Sequence, residues 1–225
     1  MRLHRPGVRT RLRGAARRLT EIPHWFGLRR LGKRRPPEYR DYLAVQLRRT
    51  LSKRETDPGI GAATLINRVA EQRPDGGSVL CVGCRNALEL DRFRGRGFDD
   101  VIGIDVFSQR EDIKVMDMHA MTFPDDSFDV VYASHALEHA YSVERVANEI
   151  VRVARNGAVV GVEVPVRAQA SAADRVVFAD LDELRDAFRG YIDEELLAEE
   201  QPPRSATNEQ GTWIARLVFR LRKDR

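Results

Sequence analysis

SVLCVGCRN, residues 78–86, is an apolar run that halts at Gly83 and passes into residues with helical spacing. A buried strand ending in a glycine turn lets a ligand approach the backbone, and the helix that follows turns its positive end toward that ligand. Downstream, short apolar runs at 101–104, 113–116, 128–133 and 158–164 alternate with helical segments at about 86–96, 142–154 and 181–189. Such alternation builds βαβ units, and hence a parallel sheet with helices on both faces. The last stretch differs: 195–201 and 212–222 read as two strands joined by a polar loop, which predicts an antiparallel hairpin closing the sheet. Upstream, a helix over 38–54 carries Tyr39, Leu43, Leu47 and Leu51 on one stripe, and another over about 61–73 turns Leu65, Val69 and Ala70 inward.

The charge is unevenly spread. Residues 1–54 hold 17 Lys and Arg against three acids, whereas the rest of the chain holds 21 against 31, so the excess of +4 belongs to an N-terminal arm. Within residues 1–36, Val8, Leu12, Ala15, Leu19 and Ile22 recur at helical spacing among arginines. That pattern suits either a basic amphipathic helix lying on an anionic membrane or a solvated tail, and RNA contact would use the same charges. No apolar run approaches membrane-spanning length, and arginines interrupt any secretory core. Two cysteines, Cys81 and Cys84, complete neither a disulfide framework nor a zinc site, so a reduced, cytoplasmic setting is expected, peripheral at a membrane if the arm adheres.

Asp105 ends the second expected strand, 22 positions beyond Gly83. A carboxylate there stands beside the crevice at the strands' carboxyl ends, placed to accept from both hydroxyls of a ribose. The alternative is that it caps a following helix. A dinucleotide reading is weak, because a pyrophosphate loop wants G-x-G-x-x-G and this turn has one glycine.

MDMHAMTFPDDSFDVVYASHALEH, residues 116–139, is more specific. It resembles the third and fourth motif region of class I S-adenosylmethionine-dependent methyltransferases of the small-molecule branch: an acid at the third strand's end, F-P, a D-D-S-F-D-x-V strand and a leucine-glutamate-histidine ending. Glu149–Gly157 and Val159–Pro165 resemble that family's next helix, glycine turn and fifth strand, and the resemblance spans about residues 60–222. It implies an α/β, Rossmann-like sheet of seven strands, mostly parallel with an antiparallel last strand, and S-adenosylmethionine as the methyl donor.

The same resemblance implies roles. Gly83, with Cys84 and Arg85 offering backbone contacts, would lie against the donor's methionine part; Asp105 would bind the ribose, with Val106 against the adenine. Asp117 would accept from the adenine amino group, Met118 would give its N–H to a ring nitrogen, and Ser134 and His135 would face the sulfonium and the nucleophile. This chain departs from the pattern where Cys81 replaces the first-motif acid and Arg85 and Ala87 replace its later glycines. Glu89 is the candidate to face the donor's ammonium instead.

Methyl transfer is an in-line displacement that needs alignment first, and a base only for a hydroxyl or protonated amine. His135 and His139 are the candidate catalytic residues, with Glu138 beside them; for His139 a structural role beneath the loop is the competing reading. His119 is expected over the adenine edge rather than on a metal, and no metal site is expected. The expected division is an arm (1–36), a helical lead-in covering the site (37–60) and a methyltransferase domain (61–225). The acceptor is expected to be a small molecule, a sugar or a lipid-linked glycan, met by residues around 36–60, the loop after Ser134 and Arg167–Asp180. The alternatives are a catalytically silent S-adenosylmethionine-binding scaffold and an RNA methyltransferase steered by the arm; the latter lacks an Asn/Asp-Pro-Pro-Tyr type motif after the fourth strand.

Overall fold

The computed structural model describes residues 35–52, 60–85, 88–108 and 110–223. The helix expected in the basic arm therefore lies outside the described residues, up to residue 34, as do residues 53–59 of the lead-in. Among the described residues no helix is long and apolar enough to cross a membrane.

The chain runs α1 (Pro37–Ser52), α2 (Ile60–Glu71), β1 (Ser78–Val82), α3 (Leu88–Arg94), β2 (Asp100–Asp105), β3 (Ile113–Val115) and β4 (Phe128–Ser134). It continues through a 3-10 turn (Leu137–His139), α4 (Val143–Val153), β5 (Ala154–Val166), α5 (Leu181–Asp186), β6 (Ile192–Gln201) and β7 (Trp213–Leu221). The seven strands form one sheet in the order β3-β2-β1-β4-β5-β7-β6. Strands β1 to β5 pair in parallel, and β7 is antiparallel to both β5 and β6, as the terminal hairpin required.

Alternation along each strand feeds two cores. On one face Val79, Cys81, Val130, Tyr132 and Val218 meet Leu65, Ile66 and Val69 of α2 and Leu90 and Phe93 of α3. On the other, Leu80, Val82, Val131, Val160 and Phe219 meet Val146 and Ile150 of α4 and Leu184 and Phe188 around α5. All five β1 residues are buried, which explains an uninterrupted apolar run in place of strict alternation. Helix α2 approaches β5 closely, since a Cβ on Gly161 would stand 2.3 Å from Val69 Cγ2.

Several boundaries differ from the sequence reading, among them the start of β6, at Ile192 rather than 195. Strand β5 starts at Ala154, directly after α4, instead of near 158. Ala154 pairs with Phe128 across an irregularity, and Arg155 ties the segment to Asp129 at 2.7 Å, so polar residues extend the strand where periodicity ends. Helix α5 stops at Asp186 rather than 189, short of Gly190. Helix α1 lies over the sheet's carboxyl edge, its Tyr39, Tyr42 and Leu43 buried against Val106.

Candidate active site

A cleft of about 380 Å³ opens at the carboxyl ends of the central strands, at the point where strand order reverses between β1 and β4. Of the residues singled out from sequence, Gly83, Arg85, Asp105, Val106, Asp117, Met118, Ser134, His135 and His139 all line it.

Gly83 sits at φ +71, in the left-handed region that favours glycine, and its N–H donates to Ile104 O at 2.8 Å. A Cβ there would come within 2.7 Å of Ala136 Cβ. The turn after β1 is thus pressed against the loop after β4, and glycine is required for both reasons. Cys84 departs from expectation. Its amide and its thiol both turn to Ile104 O, at 3.3 and 3.8 Å, and the residue is buried in the core instead of lining the cleft. Closing the turn onto β2 takes up the N–H that was to meet a ligand. Burial also pushes the thiols of Cys81 and Cys84 up, which keeps both protonated and unreactive.

Asp105 closes β2 and is buried; one carboxylate oxygen accepts from Phe107 N–H at 3.2 Å. The next described element after it is strand β3, so it is not a helix cap. Burial drives its pKa up to about 6, against the pull of the neighbouring amides and Arg85. Asp117, on the next strand tip, is held below the ordinary carboxylate range: burial acts upward, but His119 and Tyr39 donate to it. Tyr39 O–H reaches Asp117 Oδ2 at 2.7 Å and thereby latches α1 over the cleft. His119 Nδ1 lies 2.9 Å from Asp117 Oδ1, while its Nε2 accepts from Tyr141 N–H at 2.9 Å. The ring is therefore spent on structure. It stands behind Asp117 and does not line the cleft, contrary to the expectation that it would cover a ligand's edge.

His135, at φ +51, places Nδ1 3.3 Å from Glu138 Oε1 and Nε2 3.4 Å from Glu163 Oε1. Burial works against its charge, but the two carboxylates outweigh it and raise its pKa to about 10. Glu163 also accepts from Ser134 Oγ at 3.0 Å and from Arg216 Nε at 2.5 Å, and Arg216 Nη1 reaches Glu199 Oε1 at 2.9 Å. Strand register makes this a lateral row, Ser134 opposite Glu163, Glu163 opposite Arg216, and Arg216 opposite Glu199. Residue-by-residue reading did not find it, because no spacing along the chain signals a row across four strands.

Also missed were Gln46, Arg49 and Thr50 of α1 as individual wall residues, and Glu209 and Gln210 from the β6–β7 loop. That loop is shaped by Asn208, fully buried, whose Nδ2 donates to the carbonyls of Gln201, Pro202 and Thr212.

Glu89 reaches the cleft from α3, and burial lifts its pKa to about 8 from an ordinary 4.5. The folded state then holds a proton that the unfolded chain releases, so stability falls as pH rises from about 4.5 to about 8. Glu89→Gln is expected to remove that fall and to be the more stable protein at pH ~9, with little change at pH ~4. Urea unfolding at the two pH values checks it, and an unaltered pH slope would refute it.

Comparison with known proteins bears on the same region. A family described as a methyltransferase domain matches residues 80–162. Among solved structures, the chain is similar to the Burkholderia thailandensis 1,6-didemethyltoxoflavin-N1-methyltransferase with bound 1,6-didemethyltoxoflavin and S-adenosylhomocysteine: 14% identity, TM-score 0.60, 81% of this chain and 86% of that one. It is also similar to the [4+2]-cyclase SpnF, with 20% identity, TM-score 0.56 and coverage of 83% and 95%. A third is an S-adenosylmethionine-dependent methyltransferase from Mesorhizobium loti, with 18% identity, TM-score 0.54 and coverage of 72% and 100%. At such identities the likeness is one of fold. No curated protein matches the chain.

Proposed function

We propose that this chain, which carries a methyltransferase domain on the fold of S-adenosylmethionine-dependent methyltransferases, transfers a methyl group to a small polar acceptor such as a sugar. The observation that carries the reading is the meeting of Asp105 and Asp117, from neighbouring strand tips, with the Gly83 turn on one cleft.

The donor set suits an adenosyl sulfonium. Asp105 and Glu89 are buried acids with raised pKa values, so each stands to gain from a ligand that brings hydrogen-bond donors: ribose hydroxyls for Asp105, an ammonium for Glu89. When bound, the sulfonium supplies an electrophilic methyl carbon. The chain's own residues orient it. Gly83 leaves room for close backbone approach, Arg85 flanks the turn and Val106 offers an apolar wall. Asp117 Oδ2, which takes Tyr39 at 2.7 Å and Arg35 Nη2 at 3.5 Å, would exchange the long Arg35 contact for an amino group, and Met118 would give its amide. Ser134 borders the reacting end. His135 has both ring nitrogens turned to carboxylates, and so acts as a fixed cation and not as a base.

Polar walls are also supplied by Gln46 and Thr50 from α1 and by Glu209 and Gln210 from the β6–β7 loop, and we assign them to the acceptor end. Such walls fit a hydroxylated acceptor better than an acyl chain. We read residues 37–60 as the cover of this acceptor end and 61–225 as the catalytic body.

Asp105→Ala removes charge-assisted hydrogen bonds worth about 1.5–3 kcal/mol. The dissociation constant for S-adenosylmethionine, measured by titration calorimetry, is expected to rise about ten- to a hundredfold. An unchanged constant would overturn the ribose assignment. Tritiated-methyl transfer screened over sugars, polyols and RNA then tests the acceptor class, and transfer to RNA alone would replace it.

A further inference from the structure

His139 closes the 3-10 turn at the cleft wall, and its two nitrogens have opposite surroundings. Nδ1 faces Ala173 O at 3.2 Å and Asp174 Oδ1 at 2.9 Å. Both are acceptors, so Nδ1 carries the ring proton and Nε2 presents a lone pair. That lone pair is buried with no hydrogen-bond partner. Glu138 Oε1, itself an acceptor, lies 3.6 Å away, and Glu138 Oε2 is likewise buried and unpartnered. Two buried acceptors on adjacent residues of the cleft wall thus each lack a donor. A buried acceptor left unpaired costs about 1–3 kcal/mol, which a ligand hydrogen would recover.

We infer that the acceptor's hydroxyl supplies the donor that His139 lacks, that His139 Nε2 takes its proton, and that Asp174 holds the imidazole in the tautomer required. The inference rests on the methyl-transfer reading above and names its base and its nucleophile. A hydroxyl fits better than an ammonium, because His135 already compensates the Glu138 charge at 3.3 Å. A carboxylate does not fit, since it would face two acceptors. In the step, the hydroxyl oxygen forms a bond to the methyl carbon as the carbon–sulfur bond breaks and its electron pair returns to sulfur. The proton goes to His139 Nε2, and the imidazolium formed lies between Asp174 and Glu138. Burial holds neutral His139 below its ordinary pKa, so the ring is free to accept it.

The scaffold around this pair is built from other elements. Gln46 of α1 donates to Ala173 O at 2.8 Å, Ser171 Oγ donates to Asp174 Oδ2 at 2.8 Å, and Val176 N–H donates to Glu138 O at 3.0 Å. The stretch after β5 is in this way pinned to the turn that bears the base.

Two measurements on the full chain test the inference. Long-range proton–nitrogen correlation of ¹⁵N-labelled protein at neutral pH is expected to show His139 protonated at Nδ1 and unprotonated at Nε2; the opposite tautomer would overturn the pair. Tritiated-methyl transfer is then compared on methyl α-glucoside and catechol as hydroxyl probes and on benzylamine and benzoate as controls. Transfer to a hydroxyl probe is expected, with kcat lowered about 10²–10⁴-fold in His139→Gln and Asp174→Asn at unchanged KM for S-adenosylmethionine, and partly restored in Asp174→Glu. Transfer to the amine or carboxylate alone, equal kcat in the variants, or no transfer to any probe by protein that binds S-adenosylmethionine would overturn it. Loss of S-adenosylmethionine binding in the wild type would instead defeat the underlying reading, and the His139 tautomer alone would then decide whether the pair exists.

Discussion

Replacing Arg216 with Ala is expected to destabilise the domain by about 3–5 kcal/mol, because it strands a buried carboxylate without its partner. Arg216 and Glu163 are both fully buried, face each other across β7 and β5, and are bound through Arg216 Nε. Burial alone would raise the Glu163 pKa, yet His135 and Arg216 hold it below its ordinary value, so the carboxylate is charged and depends on them. The same guanidinium donates to Glu199 Oε1 and to Thr207 O, and its loss loosens both the edge strand and the loop that brings Glu209 and Gln210 to the cleft. The double variant Arg216→Met, Glu163→Gln removes both charges and is expected to recover much of the loss. Urea unfolding at neutral pH measures both. A single-variant cost below about 1 kcal/mol would mean that water or a neighbour compensates Glu163, and the row across the strands would lose its structural importance.

Gly83→Ala carries the second large effect. An alanine at φ +71 costs about 1–2 kcal/mol for its left-handed backbone. Its Cβ would also lie 2.7 Å from Ala136 Cβ, and overpacking of that kind typically adds about 1–3 kcal/mol. The two contributions separate experimentally. Ala136→Gly in the Gly83→Ala background removes the clash and leaves the backbone strain, so part of the stability should return and part should not. Full recovery would show that the turn relaxes to an ordinary φ, and no recovery would show that Ala136 moves aside at little cost. Affinity for S-adenosylmethionine is expected to fall in the single variant, since the turn either shifts or fills the space that a ligand approaches.

These two positions mark different depths of legibility. Gly83 is visible in the chain itself, since an apolar run that stops at a glycine before a helix announces a strand, a turn and a ligand site together. Asp105 is visible for a related reason, as the acid that ends an apolar run on the edge where parallel strands gather their ends, whereas Asp117 was reached through the motif resemblance. The hairpin of β6 and β7 was likewise apparent from two strand-like runs with a polar loop between them. Arg216 belongs to the other kind. It stands within an apolar strand, where sequence reading has no means of pairing it with Glu163, 53 positions earlier, and Glu199, 17 earlier. Cys84 shows the same limit from the opposite side, because a residue placed beside the ligand by motif alone is turned into the core by one hydrogen-bonded carbonyl.

Local pattern therefore determined the number and kind of elements, the parallel body with its reversed last strand, and the edge of the sheet on which the cleft opens. Burial periodicity records which side of each segment faces inward, and that information is carried by near neighbours in the chain. Which side chains then touch was decided by strand order and loop path: the latch from Tyr39 to Asp117, the charged row from His135 to Glu199, and the meeting of Asp174 with His139. Those contacts join segments 17 to 78 residues apart, and distance along the chain leaves no periodic trace of them.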